Sequence, residues 1–146
     1  MDFKIIEYKS SEYDRMVNLR YRILREPLQL TFSENDLAKD KDDILLGAFF
    51  DNSEQIIGCC ILTHLNENTV QLRQMAIDTF YQGKGLGNDL LSYAEQVSLK
   101  KKYRYIYLHA RKVAVSFYKK NGYTTEGDQF TEVGIPHIEM LKHIEE

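Results

Sequence analysis

The sequence predicts a mixed α/β (α+β) domain with a mostly antiparallel central sheet of six to seven strands flanked by helices. Three observations predict it. Short apolar runs recur along the chain and are separated by turns rich in Asp, Asn, Ser and Gly. Two longer stretches instead carry apolar residues at three- and four-residue spacing, the period of a half-buried helix. A glycine-rich turn, Tyr81 to Asn88, joins an apolar strand directly to the second of these helices. The resulting order is strand, helix, three strands, helix, strand, helix, two strands, and neighbours linked by tight turns pair antiparallel. At 146 residues, 43% apolar and 28% charged, the chain is expected to form one domain over residues 1–146 with a substantial core.

Phe3 to Tyr8 reads as the first strand. Ser10 or Ser11 caps the helix that follows, with Asp14 three residues after Ser11 in a capping-box-like position. Tyr13, Met16, Val17, Ile23 and Leu24 form its buried stripe, and Pro27 ends or kinks it. Ser33 to Asp43 holds five acidic residues and two lysines and is expected to be a solvated loop with at most one short helix. Ile44 to Phe50 and Ile56 to Thr63 make a hairpin around the turn residues Asp51, Asn52 and Ser53. Asn66-Glu67-Asn68 turns the chain into a further strand, Thr69 to Ile77. Beyond the glycines, Leu86, Leu90, Ala94 and Val97 mark one helical face, and Lys100, Lys101 and Lys102 complement the dipole at its C-terminal end. Tyr105 to Ala110 is a strand. Ala114, Phe117 and Tyr118 share a face of a short helix that Asn121-Gly122 ends. Tyr123 to Glu126 and Ile135 to His143 complete the sheet.

The bulk properties narrow the function. A formal charge of −3 supplies no basic field for nucleic acid. No apolar stretch reaches membrane-spanning length, and the start Met1-Asp2-Phe3-Lys4 lacks a signal-peptide pattern. Cys59 and Cys60 are adjacent on a strand and point to opposite faces, so they cannot pair with each other. They read as reduced, buried thiols of a cytoplasmic protein, with a weak case as nucleophiles because no positive surroundings are legible. No metal is expected.

The glycine turn carries the chemistry. Glycine tolerates φ > 0 and leaves no Cβ in a ligand's way. A helix N-terminus adds free N–H groups and a partial positive charge, so the pair suits phosphate, and Lys84 adds a cation. The P-loop pattern fails, because Lys84 is followed by Gly85 and no glycine lies five residues before Gly83. The dinucleotide fingerprint fails too, because the third glycine comes one position early. The pattern that fits is Gln-x-x-Gly-x-Gly, met by Gln82, Gly85 and Gly87.

With a strand before it and a helix after it, this turn resembles the acetyl-coenzyme A loop of the GNAT N-acetyltransferase superfamily. Ala114-Val115-Ser116-Phe117-Tyr118-Lys119-Lys120-Asn121-Gly122-Tyr123 is similar to that family's Ala-x-x-Phe-Tyr-x-x-x-Gly-Phe/Tyr segment, at the usual interval after the loop. Arg20 to Leu28 and Phe130 to His137 resemble the small bacterial ElaA-like branch. The chain departs from the pattern at Arg111, where many members carry an asparagine that contacts coenzyme A. A guanidinium there could still reach a phosphate.

The resemblance implies transfer of an acetyl group from acetyl-coenzyme A to an amine of a small molecule or a protein, in a ternary complex. It places the cofactor on Gln82, Gly83, Lys84, Gly85, Leu86, Gly87 and Asn88, with Arg111, Phe117 and Tyr118 beside it. A backbone N–H within Met75, Ala76 and Ile77 polarises the thioester carbonyl. Tyr118 serves the leaving thiolate, through a hydrogen bond that completes proton transfer late or through a somewhat lowered pKa. Candidate bases are His109, His137, Glu139 and Glu26. The acidic segment Ser33 to Asp43 reads alternatively as a mobile wall that favours a cationic amine. Two other functions stay open: a module that binds acetyl-coenzyme A without turnover, and an acyltransferase using another acyl group. The family admits a homodimer.

Overall fold

The computed structural model describes residues 1–145. Its seven strands form one sheet in the order β1-β2-β3-β4-β5-β7-β6. These are β1 Asp2–Ile6, β2 Ile44–Phe49, β3 Ile56–Asn66, β4 Thr69–Ile77, β5 Tyr105–Arg111, β6 Thr124–Glu132 and β7 Ile135–His143. All neighbours pair antiparallel except β4 and β5, which run parallel. That pair needs a crossover, and the glycine turn with its helix supplies it.

Four helices flank the sheet: α1 Ser11–Arg20, α2 Glu34–Ala38, α3 Leu86–Lys100 and α4 Val115–Lys120. Ser10 caps α1 by accepting from the Tyr13 N–H at 3.1 Å. The box expected from Ser11 and Asp14 is therefore not the cap, because the helix starts one residue earlier than that pairing needs. The α1 stripe continues into a π turn over Tyr21–Arg25 and a 3₁₀ turn over Glu26–Leu28 that takes Pro27 near its start. Strand β6 runs six residues beyond the expected end at Glu126. Its side chains are nearly all exposed, so no apolar alternation marks it in the sequence.

Strand alternation sends side chains into two cores. Leu46, Cys60, Leu62, Leu72 and Leu108 pack with α3 and α4 on one face. Leu45, Phe49, Cys59 and Ile61 pack with α1 on the other. The adjacent cysteines thus sit in different cores, both free and buried. Burial pushes the Cys59 thiol up to about 12 and Cys60 well above the ordinary thiol value. Thiolate is scarce at neutral pH in both, so a disulfide-exchanging chromophoric reagent is expected to label neither cysteine in native protein and both after denaturation. Rapid labelling of the native chain would mean that one of these cores opens readily.

The segment Ser33 to Asp43 is exposed along most of its length and holds α2, capped by a reciprocal Ser33–Asp36 box. Two residues depart from the expected solvated loop, Asp40 and Asp43, the latter with its side chain 7% exposed beside Arg73. Asp40 is buried, with Arg20 Nη1 at 2.7 Å and the Tyr13 hydroxyl at 2.6 Å from its Oδ2.

Candidate active site

The site forms where β4 and β5 part. Their ladder runs from Thr69/Tyr105 to Leu72/Leu108 and stops, although β4 continues to Ile77 and β5 to Arg111. On its other edge, β4 pairs Arg73 with Ile61 and Ala76 with Cys59, so two residues, Gln74 and Met75, stand against one, Cys60. That bulge holds Gln74 at φ 55 and re-aims the strand just beyond the parting. Past Leu72 the edge of β4 that faces β5 has no strand partner, so a backbone N–H within Met75 to Ile77 that faces this edge is open to a carbonyl oxygen.

Two cavities open into this gap and share Met75, Ala114 and Tyr118. The larger, about 540 Å³, runs over the glycine turn. Gly83 and Gly85 stand at φ 75 and 86 with open space where a Cβ would point. Gly87 serves otherwise: a Cβ there would come within 3.3 Å of the Phe117 ring, so it lets α3 and α4 approach. Helix α3 begins after Gly85 without a side-chain cap. The N–H groups of Leu86, Gly87 and Asn88 therefore have no carbonyl one turn behind them. The turn is braced from below by the Gln82 side chain, whose Nε2 donates to the Ile77 carbonyl at 2.9 Å. The Gln82 backbone N–H is already spent on Thr79. An open backbone concavity at an uncapped helix N-terminus fits a phosphate-bearing cofactor such as coenzyme A.

Of the residues assigned to the cofactor, Met75, Ile77, Gln82, Gly83, Gly85, Gly87, Asn88, Phe117 and Tyr118 line this larger cavity. Four expected residues do not. Ala76 alternates to the opposite face and lies in the α1 core. Leu86 is buried in the other core, though its backbone N–H remains free. Lys84 projects outward with its ammonium 4.1 Å from the Phe80 ring centroid. Arg111 lines the smaller cavity instead, its guanidinium donating to the Leu24 carbonyl at 3.3 Å.

The smaller cavity, about 270 Å³, holds the titratable groups. His109 and His137 both line it, one from β5 and one from β7. They meet at Glu132, which the sequence reading passed over as a base. Glu132 Oε2 lies 3.1 Å from His109 Nδ1 and 3.8 Å from His137 Nε2. The other His109 nitrogen is 2.9 Å from the Tyr107 hydroxyl. His137 Nδ1 faces the Ile135 carbonyl at 3.0 Å and must donate to it, so Nε2 keeps the lone pair in the neutral ring. Glu139 lines neither cavity; burial and then the nearby Glu139 carboxylate push the Tyr107 phenol up to about 12. Glu26 is exposed in the 3₁₀ turn and also lies outside both linings. The acidic segment Ser33 to Asp43 contributes no lining residue, so it is not a wall of this cavity.

Tyr118 occupies the junction, 8% exposed, with its hydroxyl donating to the Met75 thioether at 3.5 Å. A thioether is a weak acceptor, so this proton is easily claimed by a better one. Burial, and then the neighbouring Cys60, push the phenol well above its ordinary value. That overturns the expectation of a lowered pKa and leaves the late-transfer alternative.

Residues 32–144 match the family model described as an acetyltransferase (GNAT) domain. The Bacillus subtilis uncharacterized protein YyaT is 35% identical over 77 residues, which cover 53% of this chain and 52% of that one. The chain spans about half the length of this curated relative. Among solved structures, Escherichia coli ElaA superposes with a TM-score of 0.83 at 15% identity, covering 98% of this chain and all of that one. An aminoglycoside 6'-N-acetyltransferase complexed with coenzyme A gives 0.81 at 15% identity, covering 100% and 98%. At these identities the superpositions speak for the fold. No helix among the described residues is long and apolar enough to cross a membrane, and no cluster of three or more His, Cys, Asp or Glu that could hold a metal occurs among them.

Proposed function

The chain belongs to the GNAT acetyltransferase domain family, and from that premise we propose that it moves an acetyl group from acetyl-coenzyme A to an amine nitrogen by direct transfer in a ternary complex. One observation carries the reading: two cavities of different chemistry meet at a single phenol, Tyr118. When bound, acetyl-coenzyme A supplies the activated thioester. The N–H groups of Leu86, Gly87 and Asn88, in the open turn made by Gly83 and Gly85, hold its phosphates. The free amides of β4 near Met75 and Ile77 orient the carbonyl and offset charge on its oxygen. Tyr118 offers a hydrogen bond to the departing sulfur. An alkyl amine, with a pKa near 10.4, arrives mostly protonated, and His137 Nε2 is placed to take its proton while Glu132 steadies the imidazolium. In this reading residues 1–146 act as one domain in the cytoplasm.

A panel of amines with acetyl-coenzyme A, read by thiol release against a no-acceptor control, tests the transfer. Tight coenzyme A binding with no amine-dependent release from a broad panel would leave a binding module and overturn the enzymatic reading.

The loop assignment has its own test. Gly85→Glu places a side chain and a negative charge in the open turn, so coenzyme A affinity is expected to fall at least tenfold, about 1.4 kcal/mol. Gly127→Glu is the control, since Gly127 also sits at positive φ with nothing near its Cβ direction but lies on β6, outside both cavities. Equal dissociation constants by calorimetry for the two folded variants would remove the cofactor from this turn.

A further inference from the structure

The protein has seven arginines. Five hold carboxylates: Arg15 with Glu54, Arg20 with Asp40, Arg22 with Asp78, Arg73 with Asp43 and Arg104 with Glu145. Among the described residues, Arg25 and Arg111 have no carboxylate partner within salt-bridge distance. Both line the smaller cavity, the one without the glycine turn.

Neutral groups hold these two side chains in place. The Arg25 guanidinium carbon lies 4.6 Å from the Phe32 ring centroid, and that of Arg20 lies 4.8 Å from the same centroid. Arg111 is tied to the Leu24 carbonyl, one residue before Arg25. Ring and carbonyl fix the orientation of the guanidiniums without cancelling their charge. Partial burial and then the repulsion from Arg25 work against the charged form of Arg111, and Glu132 offsets them only in part. Arg73, held by Asp43 only at 3.6 Å, lines the same cavity, where Glu132 is the one carboxylate. Keeping two unpaired guanidiniums together in a half-buried pocket costs free energy that an incoming anion recovers. The fork geometry of a guanidinium suits carboxylate and phosphate oxygens.

We propose that the acceptor is an amine that also carries an anionic group, a carboxylate or a phosphate, which Arg25 and Arg111 hold while the amine faces Tyr118. The proposal rests on the acetyl-transfer reading for which atom reacts, but not for what binds. A polycationic amine meets like charge at this wall and is disfavoured.

The test is calorimetric titration of protein saturated with coenzyme A, so that cofactor phosphates cannot compete for the arginines. The probes are matched pairs: amino carboxylates of increasing chain length against their amides, O-phosphoethanolamine against ethanolamine, and 1,4-diaminobutane as the dication. The anionic member of at least one pair is expected to bind tenfold or more tightly than its neutral partner. The carboxylate and phosphate arms identify the anion. Arg25→Gln and Arg111→Gln should each collapse that ratio toward one, Arg25→Lys should keep part of it, and coenzyme A affinity should hold in all three. Equal or tighter binding of the neutral or dicationic probes overturns the proposal, as does a ratio that survives both Gln substitutions or no binding of any anionic amine at millimolar concentration. Thiol release is followed in parallel with acetyl-coenzyme A. A preference for anions without release sinks the transfer reading alone; release confined to neutral or cationic amines sinks this proposal alone.

Discussion

Tyr118→Phe is expected to lower turnover by about 10²- to 10⁴-fold, the usual range for general-acid assistance, while coenzyme A affinity and melting temperature change little. The ring does the packing. It lies edge-on to Phe117 at 5.0 Å and to Tyr123 at 5.7 Å within the α3/α4 core, and phenylalanine preserves both contacts. The hydroxyl contributes little to the fold, since its bond is to a thioether at 3.5 Å. Its contribution falls where negative charge gathers on sulfur, and an interaction made mainly in the transition state changes turnover without changing ground-state binding. Ordinary pKa values of about 10 and 8.5 already make full proton transfer from phenol to thiolate uphill by roughly 2 kcal/mol. Burial raises the phenol further, and the same dry surroundings disfavour the thiolate as well. The phenol therefore acts first as a hydrogen-bond donor, with its proton following late. The measurement needs an acceptor from the amine panel, and kinetics, calorimetry and melting on one preparation. A loss below about threefold with folding and binding intact removes Tyr118 from the chemistry and leaves water to protonate the thiolate.

Elements with a strong period were legible in the sequence. Thr69–Ile77 and Ile135–His143 were expected at the bounds that the strands take, because turns flank both. The glycine turn was legible because three glycines in one stretch require a backbone reason. What escaped depended on register. Ala76 and Met75 are neighbours in sequence but opposite in facing, and the bulge at Gln74 decides which one meets the cavity. Glu132 escaped because β6 has no buried face to advertise it. Its carboxylate reaches the histidines only after the two-residue turn at Val133 and Gly134, both at positive φ, folds β6 against β7. Arg111 was assigned to the cofactor by its place before Ala114. The parting of β4 and β5 puts it on the other side of Tyr118. The unpaired state of Arg25 and Arg111 is a property of three-dimensional neighbours, and a linear count of seven arginines cannot contain it.

Asp40→Ala is expected to cost about 3–5 kcal/mol of stability, the range for removing one partner of a buried ion pair. For a chain of this size that lowers the melting temperature by roughly 10–16 °C. Arg20 is 2% exposed and Asp40 1%, and Arg20 Nε already lacks a hydrogen-bond partner. Without the carboxylate, the guanidinium is left buried with only the Phe32 ring to offset its charge, and the Tyr13 hydroxyl loses its 2.6 Å acceptor and keeps only the Leu37 carbonyl at 3.4 Å. Replacing both partners with apolar residues, Arg20→Met with Asp40→Leu, should recover much of the loss because no charge is then stranded. Denaturant unfolding of the two variants separates these outcomes; a loss under about 1 kcal/mol for Asp40→Ala would mean that water reaches the pair. The consequence extends to the site. Asp40 is the buried anchor of the mostly exposed segment that follows Phe32, and Phe32 is the ring on which Arg25 rests. Loosening that segment removes the fixed orientation of Arg25 but not its charge. In Asp40→Ala held well below its melting temperature, coenzyme A affinity should therefore persist while the preference for anionic amines shrinks.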